Sequence, residues 1–362
     1  MRLAAALLAA ACAAWGQVET TTIARDLKGG YQVLAVDMNR DGRKDLVALA
    51  SSIPELVWYE NPGWTRHVIA TGFRQMINVA AMDTDGDRIP ELLMAHEFSN
   101  IAAKSIGTVS LLRSQGDPRQ PWSVTEIDRV PTTHRIRVCD GAFVNAPLTD
   151  AKAEPPDFHG DVPLVFYRPG EWKPERVEAA GQGVMHGLYI ERANPCSMLV
   201  ASFAGISRIE RRGKSWQRTK LADGSPLPWP KSGASDITVG RLKTGKFIAS
   251  IEPWHGNELA VYTQKGRVWQ REVLDSSLID GHTVLAADFD NDGNDEIVSG
   301  ARGGGGVVDL HKRTQAGWVK TPLDRSLTAA SCEAVDLDGD NRLELVCIGS
   351  ATAELRLYRF PR

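Results

Sequence analysis

The sequence predicts an all-β protein, a seven-bladed β-propeller closed by pairing an N-terminal strand onto the C-terminal blade. Three observations lead there. An acidic hairpin recurs, as Asp288-Phe-Asp290-Asn-Asp292-Gly293-Asn294-Asp-Glu296 and in related form from Asp37, Asp83 and Asp336, each time between short apolar runs. A Trp opens a short alternating run near the end of each repeat, at Trp64, Trp122, Trp172, Trp216, Trp269 and Trp318, with spacings of 44 to 58 residues. Such periods with four strand-like runs match propeller blades. Finally, six full blades start near residues 30, 75, 133, 184, 233 and 280, and only three strands follow residue 327. The fourth is available at Val18-Glu-Thr-Thr-Thr-Ile-Ala-Arg, so the ring closes without an open edge.

The chain then reads in order. Met1-Arg2-Leu3, an Ala/Leu run to Ala14 and Trp15-Gly16 have the form of a cleaved secretory signal over residues 1–16. A lipid anchor at Cys12 is the less favoured reading. Residues 17–362 remain as one propeller domain, secreted or periplasmic. No later stretch has the ~20 apolar residues of a membrane helix, and a net charge of −3 argues against nucleic acid as a partner. Cys139, Cys196, Cys332 and Cys347 are free to form disulfides in such a compartment, although four buried thiols fit equally well. Oligomeric state is left open, with a monomer compatible.

In each acidic hairpin, oxygen side chains stand at the first, third, fifth and ninth places. They are Asp37, Asn39, Asp41 and Asp45; Asp83, Asp85, Asp87 and Glu91; Asp288, Asp290, Asp292 and Glu296; and Asp336, Asp338, Asp340 and Glu344. With a carbonyl at the seventh place they can wrap a hard cation, so up to four structural Ca2+ ions are expected. Arg88 stands where Gly or Asn normally takes a positive φ, which makes the second loop the least regular. Blades three to five lack a full acidic loop.

These loops join the first and second strands of a blade and so mark one face of the ring. Of eight histidines, His134, His186 and His282 open first strands, His96 and His255 follow second strands, and His159 lies in the insertion Thr149–Asp161. All six map to the opposite face, where Glu97, Arg135, Arg137, Tyr189, Glu252, Trp254, Asn257 and Arg302 also fall. Neutral imidazoles can hold a divalent metal such as Zn2+, Mn2+ or Mg2+, and a free one suits proton transfer. His134, His186, His255 and His282 with Arg135 form the candidate catalytic set, and His96 joins the four histidines as a candidate metal ligand.

The Asp-x-Asp-x-Asp-Gly hairpins resemble FG-GAP or VCBS repeats. Thr133-His134-Arg135-Ile-Arg137, Ala146-Pro147-Leu148, His186-Gly187, the segment Ile251-Glu252-Pro253-Trp254-His255-Gly256-Asn257-Glu258 and Gly281-His282 resemble the propeller domain of the aldos-2-ulose dehydratase (1,5-anhydrofructose dehydratase) family. That resemblance implies a metal-dependent carbohydrate lyase performing β-elimination on a keto-sugar, of the 1,5-anhydrofructose, aldos-2-ulose or 3-keto-glycoside type. The substrate would be a small molecule or an oligosaccharide. The alternative is a non-catalytic, calcium-stabilised propeller that binds glycans or a protein partner, since the repeat alone does not imply catalysis. A hydrolase built on Glu97, Glu252 and Glu258 is a weaker third reading.

Overall fold

The computed structural model describes residues 18–361, in which seven four-stranded antiparallel meanders are arranged as successive blades. The signal segment and Cys12 lie outside the described residues. The chain enters through β1 (Glu19–Ala24) and begins blade one with β2 (Gly30–Val36), β3 (Asp45–Ala50), β4 (Leu56–Glu60) and β5 (Thr65–Ala70). Blade two is β6 (Asn78–Met82), β7 (Glu91–His96), β8 (Thr108–Arg113) and β9 (Ser123–Arg129). Blade three is β10 (Thr133–Cys139), β11 (Ala142–Pro147), β12 (Asp161–Tyr167) and β13 (Pro174–Gln182). Blade four is β14 (Met185–Arg192), β15 (Ser197–Ser202), β16 (Gly205–Arg212) and β17 (Ser215–Ala222). Blade five is β18 (Ile237–Leu242), β19 (Gly245–Glu252), β20 (Glu258–Lys265) and β21 (Val268–Asp275). Blade six is β22 (Gly281–Ala287), β23 (Glu296–Ala301), β24 (Val307–Thr314) and β25 (Gly317–Asp324). Blade seven is β26 (Ala329–Val335), β27 (Glu344–Gly349) and β28 (Leu355–Arg359), completed by β1, which pairs with β28 from Glu19↔Arg359 to Ala24↔Leu355. The expected closure is therefore present.

Second strands such as β3, β7, β23 and β27 are buried along their whole length, because both faces pack against neighbouring blades. Last strands such as β9 carry mostly exposed side chains. The first strands leave backbone N–H groups facing the channel, and neighbouring blades satisfy several of them. Gln32 exchanges two hydrogen bonds with Val79, Asn78 Oδ1 accepts from Ile136, Asp236 from Val284, and Glu333 from Ala35. These polar side chains thus act across blades, holding edges that would otherwise go unpaired.

All four acidic loops share one backbone. The fourth and sixth places have positive φ in each, at Arg40 and Gly42, Gly86 and Arg88, Asn291 and Gly293, and Gly339 and Asn341. Arg88 does adopt the strained conformation, at φ 70°. The leading Asp accepts the loop N–H groups, as Asp288 does from Asp292 and Gly293 at 3.0 and 2.8 Å. The ninth-place carboxylate accepts the N–H of the second residue, as Glu344 does from Leu337 at 2.8 Å. Both disulfides are formed: Cys139–Cys196 joins blades three and four, and Cys332–Cys347 ties β26 to β27.

Candidate active site

A bulge repeated at the entrance of the first strands places the candidate residues. In blades one, three, four, six and seven, the pairing of first and second strands skips one residue: Tyr31, His134, His186, His282 and Ala330. A bulge re-aims the side chain it frees. Here the freed residues meet at the head of the channel, where three of them are imidazoles buried to 1% exposure or less.

The rings form one cluster. His186 lies 4.7 Å from His134, 5.1 Å from His255 and 5.2 Å from His282, centroid to centroid. His186, His255 and His282 each bring a ring nitrogen to within 4.8 Å of the other two. His282 donates Nδ1–H to the carbonyl of Ala330 at 2.6 Å, which leaves the Nε2 lone pair facing inward. Asp280 stands 3.3 Å from His255 Nδ1 and is itself clamped by Arg302 Nε and Nη2, each at 3.0 Å. Arg302 Nη2 also lies 3.1 Å from that nitrogen. A guanidinium only donates, so Nδ1 accepts this bond; a metal at Nε2, which is buried without a partner, would instead call for the tautomer with Nδ1–H turned to Asp280. Neither nitrogen of His186 has a partner, nor has His282 Nε2. A group of buried, converging ring nitrogens, backed by a carbonyl at His282 and by a carboxylate within reach of His255, fits a divalent cation.

Burial first, and then neighbouring cations, hold the imidazoles neutral. His134 and His186 are pushed well below the ordinary histidine range by burial and by the Arg135 charge, and His282 by burial and Arg302. His255 falls to about 4 from burial and Arg302, against the opposing pull of Asp280. His134 bonds through Nε2 to the Tyr31 hydroxyl at 2.9 Å, and its Nδ1 is buried and unpartnered. His255 and Asp280 also hold positive φ angles of 50° and 55°, local strain of the kind that collects at working sites.

Aromatic side chains surround the cluster on the far side from the acidic loops. Phe98 lies 5.6 Å from His134 and Trp254 4.9 Å from His255. The insertion Thr149–Asp161 packs here, with Phe158 edge-on to Trp254 at 5.8 Å and the Trp229 indole donating to Asp157 O at 2.6 Å.

Other expected residues fall elsewhere. His96 is placed apart, bonded to Ser110 Oγ at 2.9 Å and packed on Phe73. His159 stacks on Trp229. Glu252 and Glu258 are both bound to Arg271, and Tyr262 donates to Glu252, so these two carboxylates are engaged in anchoring the Pro253–His255 loop. Arg135 and Arg137 line the channel on the acidic-loop side of the histidines. Tyr31, Asp280 and Asp236 were missed by sequence reasoning. Tyr31 was within reach, since it stands six residues before Asp37 just as His282 stands six before Asp288.

Three acidic loops, in blades two, six and seven, bring oxygens of their first, third and ninth side chains within 4.8 Å of one another. In blade six the Lys312 ammonium contacts Asp290, lies 3.0 Å from Asp292 and 3.7 Å from Glu296, and so shares the donors a cation would use.

Comparison with known proteins agrees with this fold. Residues 106–265 match the family model of the aldos-2-ulose dehydratase β-propeller domain, a span that includes His134, His186 and His255. Residues 19–94 and 288–347 match the FG-GAP-like repeat. The chain is 27% identical over 233 residues to aldos-2-ulose dehydratase of Phanerodontia chrysosporium, a match covering 53% of this chain and 25% of that protein. Among solved structures it is similar in fold to BBS1N in complex with ARL6DN, at TM-score 0.58 and 11% identity over 96% of this chain and 97% of the other. It is also similar to the WD40 β-propeller domain of Doa1, at TM-score 0.57 and 12% identity over 94% and 96%. At such identity these two show the fold alone. The chain is a seven-bladed propeller with FG-GAP-like repeats that resembles the β-propeller domain of aldos-2-ulose dehydratase.

Proposed function

We propose that this protein is a carbon–oxygen lyase of the sugar-dehydratase type, carrying out β-elimination on a keto-sugar at the histidine cluster. The observation that carries the reading is the convergence of unpartnered, buried nitrogens from His186, His255 and His282, in a chain related to a dehydratase propeller. Those three residues would hold a divalent cation such as Zn2+, Mn2+ or Mg2+, which when bound polarises the ketone and stabilises the enolate.

The remaining steps belong to the chain's own groups. His134, neutral and outside the ligand trio, takes the proton from the carbon next to the ketone at Nδ1. Electrons from that C–H bond form the new double bond as the β C–O bond breaks, and the departing oxygen needs a proton to leave as water or an alcohol. The Tyr31 hydroxyl, 2.9 Å from Nε2 of the same imidazole, can relay it. Phe98 and Trp254 exclude water and offer apolar faces to a sugar ring. Arg135, next to His134 and over the Tyr31 ring at 5.7 Å, contributes positive potential where enolate charge develops. The acidic loops are proposed as structural Ca2+ sites, remote from this chemistry. Two disulfides fit an oxidising compartment outside the cytoplasm, and among the described residues no helix is long and apolar enough to cross a membrane.

The test incubates purified protein with 1,5-anhydrofructose and with 3-keto-glycosides while following enone absorbance, beside His134→Ala, His186→Ala and chelator-treated samples. Enone formation that is abolished by either substitution and by chelation supports the proposal. No absorbance on any keto-sugar removes the lyase reading, and activity retained in His134→Ala removes the base assignment.

A further inference from the structure

Below the histidine layer, on the side of the acidic loops, the first strands of all seven blades enclose a chamber of about 420 Å³. That volume lies in the range of small-molecule sites, roughly 300–1,000 Å³. Two arginines on one strand, Arg135 and Arg137, face it two residues apart. Neither forms an ion pair among the described residues. Arg135 is only 6% exposed, and its Nε is buried with no partner. Arg137 Nη1 is bound only to neutral acceptors, Asn78 Oδ1 at 3.1 Å and Ile136 O at 2.8 Å. The acids of the chamber are partly engaged, Asp236 with the Val284 N–H and Glu333 with the Ala35 N–H. A guanidinium stays protonated at any working pH; Asp236 and Glu333 act on this pair from across the chamber without closing an ion pair, which leaves the forks open to an anion.

We propose that this chamber is a second binding site, for a small hydroxylated carboxylate of the sugar-acid class. The carboxylate bridges Arg135 and Arg137, in the forked geometry guanidinium favours. The hydroxyls meet Asp236, Thr238 and Ser331 on the opposing wall. The chamber shares Arg135 and Tyr31 with the proposed chemistry above it, so its occupancy is read by binding in the absence of keto-sugar.

Calorimetric titration of the full protein, without keto-sugar, tests this with sodium gluconate as probe and methyl glucoside and sodium sulfate as comparators. Gluconate should bind saturably, one per chain, and methyl glucoside should not bind. Arg137→Gln should weaken gluconate at least tenfold, the loss of one charge-assisted contact. Glu333→Gln, which removes an opposing negative charge, should tighten it several-fold, and this gain separates the site from general damage if Arg137→Gln folds poorly. Absence of gluconate binding, an affinity unmoved by Glu333→Gln, or sulfate binding as tightly as gluconate would overturn the assignment. Because the readout is binding alone, a failure here leaves the lyase test unaffected, and the reverse also holds.

Discussion

Replacing Asp280 by Asn should weaken metal binding at the trio proposed for it without disturbing the fold. Asp280 has φ 55°, and Asn tolerates that left-handed conformation as well as Asp does. The substitution keeps the shape and removes the charge. At present the carboxylate takes two 3.0 Å bonds from Arg302 and stands 3.3 Å from His255 Nδ1. An amide can accept from only one of these neighbours, and its NH2 must face the other, so the His255 ring loses the acceptor that its metal-binding tautomer would need at Nδ1. Loss of such an orienting partner typically costs 10–100-fold in metal affinity, about 1.4–2.7 kcal/mol. The assay is zinc titration against a chromophoric chelator in calcium-saturated buffer, with thermal melting to check the fold. A zinc affinity equal to the parent's, with the same melting temperature, would refute the argument that Asp280 orients a ligand.

Four further outcomes follow from other parts of the molecule. Burial holds His311, bonded to Ser299 Oγ at 3.0 Å, at a pKa of about 4. The unfolded chain therefore takes up a proton first as pH falls from about 6.5 to 4. Stability is lost across that window, by up to about 3 kcal/mol, and chemical denaturation of His311→Leu should show a shallower pH slope. Exchanging Cys139 and Cys196 for Ala opens a link spanning 57 residues and should cost about 4 kcal/mol, against about 3 kcal/mol for the 15-residue Cys332–Cys347 link, as read by urea midpoints. Calcium at a hundredfold excess over its dissociation constant should add about 2.7 kcal/mol per loop, seen as a rise in melting temperature after chelation and readdition. Lys312→Ala should tighten binding at the blade-six loop, measured by calcium titration, since the ammonium no longer shares Asp290, Asp292 and Glu296.

The repeat was legible because its signals are local. An acidic turn, an apolar run and a Trp strand each span a few residues, so blade number, closure by β1 and the face bearing His134, His186 and His282 could all be read in order along the chain. What could not be read acts between blades. Asp280 orients His255 from the next blade, and Asp236 and Glu333 accept N–H groups of neighbouring first strands. No spacing rule links such pairs. His96 shows the same limit from the other side. Topology brings it to the correct face, yet it ends β7 rather than sitting at a first-strand bulge, and it turns to Ser110 instead. Arg135 was read as a neighbour of the imidazoles, and its charge does act on His134 and His186; what the sequence did not show is that its side chain also lines the channel beneath them.

The bulge layer explains how one scaffold can hold this chemistry at little cost to its stability. Counted six residues before each loop position, the seven blades present Tyr31, Ile77, His134, His186, Ser235, His282 and Ala330. The position accepts a phenol, an aliphatic, an imidazole, a hydroxyl or a methyl, so blade packing does not depend on its identity. Packing is secured by the buried second strands and by the side chains that bridge blades one place further along. What the fold does fix is register. A slip of one residue in β14 or β22 would turn His186 or His282 from the cluster toward the core. The acidic loop six residues downstream of His282 resists that slip, because Asp288 and Glu296 bind loop N–H groups that exist only in one alignment. Remote as they are from the imidazoles, the acidic loops therefore bear on the site through strand register, and loosening the Asp288 loop should be felt at His282 before it is felt at His134, whose blade has no full acidic loop.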